Sequence, residues 1–510
     1  MIDFRRFYPK SVIVAVAACL FVVAGFAQAP APQPQAPPSP PAAPAAGQAP
    51  APSTPAQANP VPSESTEHKI TPEQAAQLFR EVDDILKFAS KETDLPIKKE
   101  VKRRLISRDE VVAYVTKHMM EDEDARRLRR SELVLKKFGL LPRDFDLETF
   151  LVALLREQVA GYYDPKAKTV NLLDWLDVEQ QRPVMAHELT HALQDQSFGL
   201  EKWMKAGSAD LGESKKEPTP ADIDNDEIST ARQAVVEGQA MAVLVDYMLA
   251  PSGQSLKDSP QIVETLKQRM LVGTADSVEF RHAPIYLKEA LTFPYRYGMD
   301  FVAELLAHGG KEKAFAGAFL NPPRSTRQIM EPRTYLSGEQ IAPMPLPDFK
   351  QDFKNYDRFD IGAIGEFDVA LLVDQYAGVE ASHAMYPHWR GGYYYAVRPK
   401  NDPNSSLGLL YVSRWSSLER SAEFSAIYAK SLMQRYKRLQ QVKDPEKRDD
   451  DAVDLATLQT LVGRHVWLTE EGPVVIETKG DMVFIAEGLD EPTSNQLERE
   501  VFPASNPASH

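Results

Sequence analysis

Two histidines one helical turn apart with a carboxylate beside the first, His187-Glu188-Leu189-Thr190-His191, constrain this chain more than any other stretch. On a helix, residues four apart share a face and lie roughly 6 Å from each other, close enough for two imidazole nitrogens to converge on one ion. Such a pair, with a glutamate to handle the proton of a water, is half of a zinc hydrolase site. The flanks must then be helical. Val184, Met185, Ala186, Leu189, Ala192 and Leu193 supply apolar positions, with Ala186, Leu189 and Leu193 at spacings of three and four, so a helix is expected to run to about Gln196. Pro183 fits without loss if the helix begins near it; a start near Asp177 predicts a bend.

A catalytic zinc usually takes three protein ligands and keeps one position for water. The best third ligand is Glu237, in Ala234-Val235-Val236-Glu237-Gly238-Gln239-Ala240, within an apolar-periodic segment from about Ile228 to Leu249 that reads as a second helix. A lone glutamate followed by Gly238 and Ala240 points to a carboxylate turned inward where small neighbours let another helix come close. Metal-assisted hydrolysis follows: zinc polarises a carbonyl and acidifies a water, and Glu188 takes the water proton and passes it to the leaving group.

His187-Glu188-x-x-His191 with a later helical glutamate resembles the gluzincins, the thermolysin-like zinc metallopeptidases. The longer strings His187 to Gln196 and Glu237-Gly238-Gln239-Ala240 are similar to a group of secreted bacterial proteins placed with these peptidases. Gly161-Tyr162-Tyr163-Asp164-Pro165 and Pro323-Arg324-Ser325-Thr326-Arg327-Gln328-Ile329 extend the likeness over about residues 140–340. Two positions depart from it. Met241 stands where thermolysin-like enzymes place an aspartate, and Glu331 where the bacterial group tends to have a histidine.

The resemblance implies a peptide or protein substrate and an edge strand that binds it in extended form. Gln158 to Tyr163 and Lys168 to Leu173 read as two short strands joined by the turn Asp164-Pro165-Lys166-Ala167, and the second strand is expected to be that edge. A ligating histidine normally donates its other N–H to an acceptor, for which Asp195 and Asp246 are the candidates. For the donor that stabilises the oxyanion, Tyr295 is the leading candidate, with Tyr297, His282 and Arg281 also near the segment Phe293 to Gly298, which is expected just before a helix.

The N-terminus reads as an export signal over residues 1–27: Arg5, Arg6 and Lys10 precede an apolar run from Val12 to Phe26, with a cut expected after Ala27. Val16-Ala17-Ala18-Cys19 loosely matches a lipoprotein box, but the apolar run continues past Cys19. An uncleaved anchor is the other alternative and would be the only membrane contact; about 16 apolar residues is short for a span. A periplasmic, cell-envelope or extracellular location is expected. Residues 28–65, almost wholly Ala, Pro, Gln and Ser, cannot bury a core and read as a semi-stiff spacer. Cys19 is the only cysteine, so the mature chain would hold no disulfide.

A net charge of −14 excludes a nucleic-acid partner, which needs a basic footprint. The basic stretches Lys98 to Arg104 and Arg126 to Arg130 read as solvated helix faces. The expected fold is α+β: residues 66–340 a mainly helical, zincin-like domain with a short edge sheet, and 341–510 a smaller α+β accessory domain.

Helices are expected from the box Thr71-Pro72-Glu73-Gln74 and over Asp109 to His118, Ala125 to Phe138 and Leu147 to Gln158. Phe198 to Glu227 lacks periodicity and reads as a mobile surface insertion. After a linker marked by Pro343, Pro345 and Pro347, strands are expected at Tyr393 to Val397, Leu407 to Val412, His465 to Thr469, Val474 to Thr478 and Met482 to Ala486, with a helix capped by Ser416 between them. His383, His388 and His465 lack ligand spacing and read as structural. The functional expectation is a secreted or envelope-tethered zinc metallopeptidase. The alternative is a metallopeptidase-like envelope protein that binds a peptide or protein without cutting it.

Overall fold

The computed structural model describes residues 13–16, 69–119, 122–205, 216–258, 261–273, 277–442 and 453–503. The expected cleavage point and the spacer lie outside them. The architecture is α+β, as expected: a helical half carries a small sheet, and the second half is built on a seven-stranded sheet.

Helix α1 (Pro72–Thr93) starts at the anticipated box, where the Thr71 hydroxyl accepts from Gln74 N–H and the Gln74 side chain accepts from Thr71 N–H. The stretch Lys98 to Arg104, expected on a helix face, instead leads into strand β2 (Lys102–Ile106), parallel to β4 (Thr169–Leu173). Its arginines are neutralised locally, Arg103 by Asp83 and Glu100 and Arg104 by Glu110, which lets a basic segment join a sheet. Helices α2 (Arg108–Met119), α3 (Asp122–Phe138) and α4 (Leu147–Gln158) follow close to their expected bounds.

Strand β3 (Val159–Asp164) and β4 form the expected hairpin, closed by Asp164 Oδ1, which accepts from Lys166 and Ala167 N–H. The strand order β1-β3-β4-β2 corrects one expectation. β4 lies inside the sheet between β3 and β2, so it cannot be a free edge; β3 is likewise inside, with the short outer strand β1 (Ile13–Val16) antiparallel along it.

Helix α5 (Val178–Phe198) carries both histidines. It starts after Asp177, so Pro183 lies inside it rather than at its first turn. After α6 (Leu200–Lys205) comes α7 (Pro220–Leu249), which begins well before Ile228 because Thr219 and Asp222 form a capping box. Much of the supposed surface insertion is therefore helix, while residues 206–215 lie outside the described part. By length and composition α7 could cross a membrane, yet most of its apolar window is buried in the fold, where it is the central core helix.

Helices α8 (Gln261–Gly273) and α9 (Val278–His282) lead to α10 (Ile285–Glu312), which a π turn (Lys313–Gly317) continues. Phe293 to Gly298, expected ahead of a helix, lie in the middle of α10, with Pro294 tolerated inside it.

Short helices α11 (Thr326–Met330) and α12 (Pro332–Ser337) precede the proline-marked stretch, which has no regular structure. Beyond it run β5 (Tyr356–Ala363), α13 (Glu366–Ala377), α14 (Val379–Met385), β6 (Trp389–Pro399), β7 (Gly408–Trp415), α15 (Leu418–Arg435), β8 (Leu439–Gln441), β9 (Gly463–Thr469), β10 (Gly472–Lys479), β11 (Met482–Glu487) and α16 (Glu491–Val501). The sheet order is β5-β6-β7-β11-β10-β9-β8, every neighbouring pair antiparallel. All five strands expected here are present; β5, β8, α13, α14 and α16 were not anticipated, and the cap of α15 is Ser417 rather than Ser416.

The two halves share one continuous apolar core, reaching from Leu78 on α1 to Ile485 on β11. A buried polar knot ties them further. Glu227 on α7 accepts from Thr326 N–H and hydroxyl, and Arg327 pairs with Glu366 at the start of α13, with Glu331 and with Glu339. Glu331 is thus engaged by Arg327, one turn before it.

Candidate metal centre

Helix α5 is buried on all sides over residues 184–195, so its histidines meet groups of their own helix and of the elements packed around it. Helix α7 brings Glu237, and α10 fixes where it stands. At their crossing Gly238 faces Gly298 so closely that a Cβ on Gly238 would lie 2.2 Å from the Gly298 carbonyl, and one on Gly298 would lie 2.2 Å from the Ala234 oxygen. The small residue after Glu237 does admit another helix, as expected. On the other side β3 lies against α5 at Gly161, where a Cβ would press on Val184 and on the Asn171 oxygen.

His187 Nε2 and His191 Nε2 are 3.0 Å apart, His187 Nε2 is 3.2 Å from Glu237 Oε2, and His191 Nε2 is 3.4 Å from the same oxygen. Nitrogen and oxygen donors about 2.0–2.1 Å from one tetrahedral ion stand about 3.3 Å apart. The three atoms therefore already form one face of a tetrahedron, and the buried group His187, His191 and Glu237 could hold a metal ion. Among the described residues no other such cluster of three occurs.

The electrostatics fit a cation as well. Burial drives the His187 imidazole down, toward the neutral donor form. Burial also opposes charge on His191, but the Glu237 carboxylate beside it outweighs this and raises it. Glu237 itself, though burial favours its neutral form, is held low by the two imidazoles.

Glu188 is not among the three donors. Its Oε2 accepts from the backbone N–H of Tyr163 on β3 at 2.8 Å, while Oε1 is buried with no hydrogen-bond partner. Burial pushes its carboxyl well up, against the pull of His191 and of the Tyr163 N–H. Strand β3 therefore touches the carboxylate next to the cluster.

Of the four expected oxyanion donors, only Tyr295 is against the cluster: it is buried on α10, its ring stacked near His187 with centroids 6.3 Å apart. Tyr297 packs instead on Phe293 and Phe367, and Arg281 and His282 are exposed on α9.

Neither aspartate nominated to support the histidines does so. Asp195 accepts from Tyr163 hydroxyl at 2.9 Å, Lys168 ammonium at 2.6 Å and Leu200 N–H at 3.1 Å, and thereby pins the small sheet to the end of α5. Asp246 accepts from Leu256 N–H. The group that does meet a histidine is Gln194, whose Oε1 is 2.9 Å from His191 Nδ1, backed by Gln239. Both sit in the strings that drew attention to this region; two buried amides amid apolar residues were the available signal, overlooked in favour of carboxylates.

His187 Nδ1 is buried without a partner. Met241, one turn past Glu237 and buried, offers no acceptor at the position where an aspartate would. The remaining histidines play other parts: His388 contacts Ser416, His465 contacts the Val462 carbonyl and His383 packs on Tyr386.

Comparison with protein-family models, with curated proteins and with solved structures gives no match to this chain.

Proposed function

We propose that the chain is an exported, zinc-dependent metallopeptidase of gluzincin type, with His187, His191 and Glu237 as ligands and Glu188 as general base. The observation that carries this reading is the triangle of donor atoms with edges of 3.0, 3.2 and 3.4 Å beside a buried, half-satisfied Glu188. Two neutral imidazoles and one carboxylate are the donor set that suits zinc with one position left for water.

When bound, zinc supplies Lewis-acid polarisation of the scissile carbonyl and acidifies a water. Glu188 receives the proton of the attacking water at Oε1, the oxygen without a partner, while Oε2 stays tied to Tyr163 N–H. The same oxygen then gives the proton to the departing amine as the C–N bond breaks. In this reading Tyr295, whose ring packs near the ligand His187, steadies the carbonyl oxygen.

A peptide substrate is favoured because β3 meets Glu188 through Tyr163 N–H and carries on its far side only the four-residue strand β1. Ile13–Val16 occupies that edge in antiparallel register, Ile13 opposite Tyr163, in the manner of an extended peptide. Removal of residues 1–27 as a signal would leave the edge open to substrate.

The test is metal analysis with a peptide library. Wild type should carry zinc and cut peptides, Glu188→Gln should keep zinc and lose turnover, and His187→Ala should lose both. The partnerless His187 Nδ1 is the one observation that favours the alternative, a protein that binds a peptide without cutting it. Bound zinc with no cleavage of a broad peptide library by wild type would favour that alternative.

A further inference from the structure

Behind their metal-facing nitrogens the two histidines differ. His191 Nδ1 meets Gln194 Oε1 at 2.9 Å, whereas His187 Nδ1 has no hydrogen-bond partner among the described residues. The direction of the His191 contact can be fixed from its far end. Gln239 Nε2 is 2.8 Å from the Ala314 carbonyl oxygen and 3.0 Å from that of Phe315, both in the π turn after α10, and only an N–H donor can meet two carbonyls. Gln239 Oε1 must then accept, and it does so from Gln194 Nε2 at 3.0 Å, which also donates to the Val236 carbonyl at 3.0 Å. Gln194 Oε1 is therefore an acceptor, and His191 must donate to it from Nδ1–H. Every group in this chain is buried, and each amide is paired within it.

From this polarity we propose that Gln194 and Gln239 are positioning residues of the metal centre, an uncharged amide relay that holds His191 in the tautomer whose Nε2 lone pair faces the ion. The inference rests on the metal-binding reading above. It adds a specific consequence: one ligand is oriented from a π turn on a third helix, through two side chains that carry no charge, so the orienting chain adds no negative charge to the ion's surroundings. The other ligand, His187, is held by packing against Tyr295 instead.

Zinc affinity by chelator competition on the full chain, with melting of the metal-free protein measured alongside, tests this. Gln194→Met, which fills the space but accepts nothing, should lose about 10- to 100-fold in zinc affinity. Gln239→Met leaves the Gln194 acceptor on Nδ1 but removes its backing, and should lose less than Gln194→Met. Gln194→Asn, an amide too short to reach the imidazole, replaces the methionine variant if that does not fold. Unchanged zinc affinity in Gln194→Met with only a lower metal-free melting temperature would overturn the relay. Absence of zinc binding by the wild type would instead overturn the metal reading, and this inference with it.

Discussion

Gly238 of α7 and Gly298 of α10 meet backbone to backbone, with no room for a Cβ on either. The contact lies one residue after Glu237 and three after Tyr295, so it sets the distance from both to the histidines on α5. Gly238→Ala or Gly298→Ala should push the helices apart, cost about 1–3 kcal/mol of stability and weaken zinc binding more than an alanine elsewhere on α7. Urea unfolding of the metal-free protein and chelator competition check both effects.

Tyr295→Phe keeps the ring against His187 and removes only the hydroxyl. With that hydroxyl steadying the transition-state oxygen, kcat should fall about 100-fold or more while zinc content stays at the wild-type level. Steady-state peptide hydrolysis together with metal analysis separates this from loss of the ion.

Arg327 is a buried cation that links the two halves through Glu366, whose carboxyl burial pushes far up and Arg327 pulls back. Arg327→Met should cost about 3 kcal/mol or more because it strands a buried carboxyl group. Arg327→Met with Glu366→Gln should recover part of that loss. Chemical denaturation of the two variants decides it.

Asp246 offers a pH test away from the metal cluster. Burial lifts its carboxyl to about 6 from an ordinary 3.8, against the Leu256 N–H that lowers it. The folded protein then binds this proton more tightly than the unfolded chain, so its contribution is favourable below pH 3.8 and is lost as pH rises toward 6. Asp246→Asn removes that slope and should be more stable than wild type at pH 7 by about 2 kcal/mol, with the gain fading toward pH 4. The difference between the two unfolding free energies, measured in chelator from pH 4 to 7, gives the sign directly.

The sequence by itself determined the elements whose signals are local. The helical spacing of His187 and His191, the Thr71 box, the hairpin turn at Asp164 and the alternation in β6, β7 and β9 to β11 all arise within a few residues, and each lies close to where it was expected. Glu237 was legible too, because a lone carboxylate followed by Gly238 in an apolar helix has few other reasons to exist. Tertiary structure alone decided which polar groups face one another. Asp195 looked like a partner for His191 but serves Tyr163 and Lys168, since the direction a buried side chain takes depends on which element packs over it. The place of β4 inside its sheet came from the parallel strand β2, a basic segment whose β character depends on its distant pairing partner rather than on its own pattern. The Gln194 to Gln239 relay joins three helices far apart in sequence, and hydrogen bonds between such positions exist only once the core has closed around them.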